Sequence, residues 1–430
     1  PVLYVAPSIG TLLAGWRGPL PPGFTPLGDV TGTAWQPVAA RGAASTGTQL
    51  AGRPTAQVVV RPQAGVAELV GLTAHEAFHV FEGASAREGR RFGAGENAML
   101  VSSYPVFDAT NEADMALEGR VLGAALAERD TARRRALARE FVAVRESRQR
   151  RLDADYASFE QLGELNEGLA EYALVRTLLV VARDARWSWR DDAQRVVDKS
   201  AAALDSLTHN VTQSLRLRFY ATGPAQARLL DALEGSGWKA RLLRDNLTLQ
   251  DALAQASGAR AAAEAAVRRA ESRFSRALLR ARADSDVARL RAIRRTQVDS
   301  LLARPGVRLT IALDSLAGRV GLCMIDPQNL LQADEGVLLH TRVVRLCAGP
   351  PLDASFTTAV VEDGRGKSAR AVIGPADSVR ITSRGQPVTL VEGQALEATD
   401  VRIETPVLTL RSARAALERR GAELLLRPKP

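Results

Sequence analysis

Lysine, histidine, cysteine and aromatic residues are all sparse in this chain, and each shortage narrows what it can be. Lysine occurs only at Lys199, Lys239, Lys367 and Lys429, so the formal net charge of +9 is carried almost wholly by arginine. Those arginines are interleaved with acids along amphipathic stretches, aromatics make up only 5% of residues, and no nucleic-acid-binding motif occurs. A nucleic-acid surface needs clustered charge and rings for stacking, so the excess reads as composition and no nucleic-acid partner is expected. No run of about 18 or more uncharged apolar residues is present, which excludes a membrane-spanning helix of this chain. Cys323 and Cys347 lack the C-x-x-C spacing of a metal or redox site. They flank a predicted pair of strands and form either one disulfide or two buried thiols. The chain begins at Pro1. A removed export signal or a shortened chain accounts for that; the former, with a disulfide, implies an exported protein, periplasmic, secreted or at the cell surface.

What remains is an ordinary globular composition, 46% hydrophobic and 24% charged over 430 residues, long enough for two or three domains. Histidine is present at only four positions, yet two of them fall in GLTAHEAFHVFEG (71–83) as His75-Glu76-x-x-His79. Residues four apart share one face of a helix, so both imidazoles can reach one Zn²⁺. Glu76 then sits beside the metal, placed to take a proton from zinc-bound water. Val66, Leu69, Val70, Leu72, Phe78 and Phe81 surround the motif with apolar positions, and Gly83 reads as the helix stop.

Upstream, VLYVA (2–6) and AQVVV (56–60) predict strands separated by Pro/Gly-rich turns. Downstream, 84–110 reads as a loop in which Tyr104, Asp108 and Asn111 are candidates to line a cleft. Helices are predicted over about 111–150, from about Tyr156 through ELNEGLAEYALVRTLLVVA, over 190–210 and over 224–234. The Ala/Arg/Glu-rich stretch 259–304 predicts a long helical spacer. After Pro305-Gly306 the alternation of VRLTIAL through DVRIETPVLTL predicts a small sandwich or barrel-like β domain, with a last helix at 412–420 and a structural His340 in mid-strand.

Two imidazoles leave a catalytic zinc short of a protein ligand, and Glu167 in NEGLAEY (166–172) is the candidate third. A merely solvated face for Glu167 and Glu171 suits poorly a helix that is otherwise apolar, where carboxylates need a partner. With HEAFH, NEGLAEY and YATG (220–223), the sequence resembles the gluzincin superfamily of zinc metallopeptidases, which includes thermolysin and the aminopeptidase N type. That resemblance implies that Glu167 ligates zinc, that Glu171 hydrogen-bonds a ligating histidine, and that the Tyr220 hydroxyl stabilises the oxyanion. Gly223 would begin the next helix with Pro224 at its first position, and His209 is a second-choice donor. It implies also a small sheet beside the metal helix, whose edge strand lines the substrate cleft. The 87 residues between His79 and Glu167 are a departure in spacing and leave Glu118 as a rival ligand. GAGEN (93–97) resembles the amine-binding motif of aminopeptidases but follows the histidines instead of preceding them, so no role is expected of it.

The expectation is therefore a multidomain α+β protein: N-terminal strands (1–64), a mostly α-helical zinc-peptidase core (65–258), a helical spacer (259–304) and a C-terminal β-rich domain (305–430). Its predicted activity is peptide-bond hydrolysis on a peptide or protein substrate. The alternative is an inactive peptidase-like binding or scaffold protein that works through its β domain.

Overall fold

The N-terminal strands are short because turn-forming glycines punctuate them. In this computed structural model, β1 (Val2–Ala6), β2 (Gly10–Ala14), β3 (Thr25–Pro26), β4 (Ala34–Gln36), β5 (Thr46–Leu50) and β6 (Arg53–Val59) form one sheet in the order β3-β4-β2-β1-β6-β5. The structure describes all residues except 8, 29, 38–44, 208–214, 260–262, 317, 326–328 and 364–365. β1 and β6 run parallel (Val2 opposite Ala56), and the other pairings are antiparallel. A two-residue turn, Ala51-Gly52, with both φ angles positive (46° and 75°), joins β5 to β6 and leaves β5 as the terminal strand.

The chain then becomes helical: α1 (Val66–Ser85), α2 (Ala109–Ala127), α3 (Thr131–Gln149), α4 (Ala154–Gly163), a π turn (Glu164–Gly168), α5 (Leu169–Arg183), α6 (Arg190–Ser206), α7 (Leu215–Glu234), α8 (Gly237–Arg244), α9 (Leu249–Ser257), α10 (Glu264–Arg273) and α11 (Arg276–Leu302). The single helix expected over 111–150 is broken at 128–130, where the Asp130 carboxylate caps the Arg133 amide and starts α3. α1 passes through Gly83 and ends at the Ala86 cap, so Gly83 is not the stop. The helix expected at 224–234 starts at Leu215, with Gly223 and Pro224 inside it.

By contacts the chain divides into two units, Pro1–Asn97 with Ala113–Ala281, and Ala98–Glu112 with Arg282–Pro430. The 259–304 stretch is thus shared between them: Ala270 of α10 joins the helical core, whereas Val298, Leu301 and Leu302 of α11 pack on Ala333, Leu339 and Val361. The first unit's core lies among α2, α3, α5, α7 and α9, around Leu122, Phe141 and Leu229.

The second unit is a nearly closed, barrel-like sheet around one core that includes Ile311, Phe356, Leu410 and Leu426. Its centre is the hairpin Ala395–Thr405 and Leu408–Arg420. The segment 412–420 is therefore strand, not the expected helix; it continues a strand whose start alternates with a period of two, buried Leu408, Leu410 and Ser412 against exposed Thr409 and Arg411, and whose 415–418 run is buried throughout. Cys323 and Cys347 form a disulfide between neighbouring strands, with Cα atoms 6.0 Å apart. His340 is buried and bonds Glu362 at 2.9 Å. Tyr104 and Asn111 are buried in this unit, with Asn111 donating to the Tyr104 hydroxyl (3.2 Å), so these two build structure rather than a cleft, while the exposed Asp108 accepts from the Thr110 amide. No helix among the described residues is long and apolar enough to cross a membrane.

Candidate metal centre

The site forms where α1 and α5 pack antiparallel. Gly71 allows the close approach: a Cβ there would lie 3.0 Å from Leu174 and 3.1 Å from Leu178. One turn further along α1, His75 Nδ1 meets Glu171 Oε2 at 3.6 Å; at the next level His75 and His79 meet Glu167. Sheet and helix are tied by Tyr4, whose hydroxyl lies 3.0 Å from that of Thr73. On the other side β5 runs past His79, so that a Cβ on Gly47 would lie 3.7 Å from the His79 backbone.

Glu167 projects from the π turn, where the extra residue per turn widens the backbone and redirects the side chain. Two features hold that turn. Gly168 abuts Gly223 of α7 so closely that a Cβ on either would fall within 2.6 Å of the other's Cα. Glu164, three residues before Glu167, accepts from Arg145 (2.7 Å) and Thr222 (2.5 Å). The glycine crossing brings Tyr220 onto the site: its ring stacks on His75 with centroids 5.6 Å apart, and its hydroxyl donates to Glu167 Oε2. Pro224 cannot donate to the carbonyl of Tyr220, four residues earlier, which loosens α7 at this level.

His75 Nε2, His79 Nε2 and Glu167 Oε2 are separated by 3.2 Å (His–His), 3.4 Å (His75–Glu167) and 3.6 Å (His79–Glu167). A tetrahedral ion bound at about 2.0–2.1 Å has edges of about 3.3–3.4 Å, so the three atoms fit one such ion. Behind each imidazole stands a carboxylate, Glu171 at His75 Nδ1 and Glu82 at His79 Nδ1 (3.5 Å). Glu76 is buried, and its Oε2 has no hydrogen-bond partner among the described residues. Such an orphan acceptor beside the two imidazoles would suit a water held between it and an ion.

The electrostatics agree. Burial opposes charge on His79, but the carboxylates of Glu167, Glu82 and Glu76 outweigh it and lift its pKa to about 10. His75 is raised for the same reason, burial again opposing and Glu167 and Glu171 prevailing. Glu167 is held far below the usual carboxylate range: burial works against its charge, but the two imidazoles, Arg216 and Tyr220 favour it. Burial pushes Glu76 upward, and burial with the Glu167 charge keeps the Tyr220 phenol neutral. The pocket thus concentrates negative charge around a point where two protons, or one divalent cation, balance it.

Of the residues named from the sequence, His75, Glu76, His79, Glu167, Glu171 and Tyr220 come together here. Glu118 does not: it is fully buried elsewhere in the unit, bound by Arg145 (2.9 Å) and Arg148 (2.6 Å). His209 lies outside the described residues. Three further participants are not evident from the sequence reading. Glu82 is three residues beyond His79 on the same face, a signal that helical spacing offers. Glu96, in the GAGEN loop of which no role is expected, accepts from Asn166 (2.6 Å) and Arg216 (2.7 Å), and Arg216 also donates to Glu167. Nothing local in the sequence marks Arg216 among so many arginines. Comparison with protein-family models, with curated proteins and with solved structures finds no match to this chain.

Proposed function

We propose that this chain is a zinc-dependent hydrolase of the gluzincin type that cleaves peptide bonds. The observation that carries the reading is the triangle of His75, His79 and Glu167, whose edges of 3.2–3.6 Å suit a single tetrahedral ion, with the unpartnered Glu76 carboxylate beside it. Bound there, zinc would supply Lewis acidity, lowering the pKa of a water and polarising a carbonyl.

The chain supplies the rest. Glu76 Oε2 takes the proton of the attacking water and returns it to the leaving amine; its raised pKa suits both transfers. Glu171 and Glu82 fix the ring orientation of His75 and His79 through their Nδ1 atoms. Arg216 and Tyr220 hold Glu167 ionised and in place. Because the Tyr220 phenol stays protonated, it can turn from Glu167 to the oxygen that gains charge as the carbonyl becomes tetrahedral. β5, the terminal strand beside His79, pairs only with β6 among the described residues and offers its other edge to an extended peptide.

The test is turnover of a mixed peptide library. The full chain should cleave it and lose activity to a chelator. Glu76→Gln should keep the ion and lose on the order of a hundredfold or more in rate. An active Glu76→Gln protein would remove the general base, and chelator-insensitive turnover would remove the metal.

A further inference from the structure

A cavity of about 420 Å³ lies in the same unit, bounded by α1, α5 and α8, and shares no residue with the metal centre. On α5, Leu169 and Tyr172 line it from the side of the helix turned away from Glu167 and Glu171. In a chain so poor in aromatics, five rings converge here. Phe78, Phe81 and Phe92 sit with centroids 5.9–6.0 Å apart, and Tyr172 meets Trp238 edge-on at 5.9 Å.

The polar ends of the last two are spent on Asp231, which accepts from the Tyr172 hydroxyl (2.7 Å) and the Trp238 indole N–H (3.0 Å). Both rings therefore present hydrocarbon to the cavity. Phe81 remains 50% exposed and Leu243 39%, so this apolar surface is open to solvent rather than closed as core.

The charged side chains that line the cavity are both cations, Arg176 and Lys239. Lys239 Nζ stands over the Tyr172 ring (5.0 Å) and the Trp238 ring (5.7 Å) and has no ion-pair partner among the described residues. Arg176 lies 3.7 Å from Asp231. The exposed ammonium thus stands over aromatic faces at the edge of an oily cleft.

We propose that this cavity binds an amphipathic carboxylate, an ionised medium-chain fatty acid, with its tail among the rings and its head at Lys239 and Arg176. The volume is at the low end of small-molecule pockets, which suits one short acyl chain.

Decanoate is the probe, titrated into the full chain by calorimetry at neutral pH, with decanol as its uncharged counterpart. One decanoate should bind per chain, saturably, with decanol weaker on the order of tenfold. Lys239→Glu and Phe81→Asp, both at exposed positions, should each weaken decanoate on the order of tenfold, while Lys429→Glu leaves it unchanged. Absence of saturable binding, equal affinity for decanol, or undiminished binding by Lys239→Glu would overturn the assignment. So would an apolar peptide that binds this cavity when decanoate does not.

Discussion

Two groups of buried acids lie in the same helical unit and are treated in opposite ways. Around Arg145 and Arg148, every carboxylate oxygen of Glu118, Glu160 and Glu164 accepts a hydrogen bond, from a guanidinium, from Gln149 or from Thr222. Around His75 and His79, Glu76 Oε2 and Glu82 Oε1 are buried with no partner among the described residues. Desolvating a carboxylate is costly, so a chain gains nothing in stability from leaving one unmet. The first group spends its lone pairs on fixed donors and can only hold structure. The second leaves two acceptors unmet by the described residues. The two meet at the π turn, where Glu164 belongs to the closed group and Glu167, itself met by Arg216 and Tyr220, lies beside the two histidines.

The comparison breaks most visibly at its closed end. Arg145→Met takes from Glu164 its guanidinium and leaves Glu118 with Arg148 alone, and should cost about 3–5 kcal/mol in denaturant unfolding. Glu76→Gln removes an unpaired buried charge and should unfold within about 0.5 kcal/mol of the parent or later. If the two variants lost stability equally, the distinction between closed and open groups would fail.

Gly168→Ala probes the link between them. Its Cβ would press on the Gly223 backbone, which has no flexible end to move aside. A loss of about 1–3 kcal/mol is expected, together with weaker ion binding, because Glu167 is carried on the same turn. A smaller effect separates the two supporting carboxylates: Glu82→Gln and Glu171→Gln should each weaken metal affinity about 10–100-fold, read by competition with a chromogenic chelator, while stability of the metal-free chain changes little.

The smallest effect is in pH. The metal-free His79 has a pKa raised from 6.5 to about 10, so its contribution to stability is full below 6.5 and is lost as pH rises through about 10. A metal ion needs the neutral imidazole, so protons compete with it and its affinity falls as pH falls. The gap in melting temperature between metal-loaded and chelator-treated protein should widen on going from about pH 6 to about pH 9. A gap that narrows would mean that the histidines are not the ligands.

Much of this site is legible in the sequence because it is written locally. Helical spacing places His75, Glu76 and His79 together, and Glu167 and Glu171 four apart, without knowledge of the fold. The N-terminal strands and the C-terminal β unit are likewise visible as short alternating runs. What is not legible is set by distant contacts. Glu118 has the same local credentials as Glu167, an acid on an apolar helix, and only the long-range pairing with Arg145 and Arg148 separates them. Glu96 and Arg216 are 120 residues apart and meet only in the folded chain. The strand at 412–420, rich in Ala, Leu, Glu and Arg, has helical propensity throughout, yet its pairing with both Ala395–Thr405 and Glu423–Pro428 overrides it.

Metal content of the purified full chain tests the central claim most directly. One divalent ion per chain is predicted, retained by Glu76→Gln and lost by both His79→Ala and Glu167→Ala. An ion still bound stoichiometrically by His79→Ala, or a parent chain that takes up none when offered zinc, would contradict it.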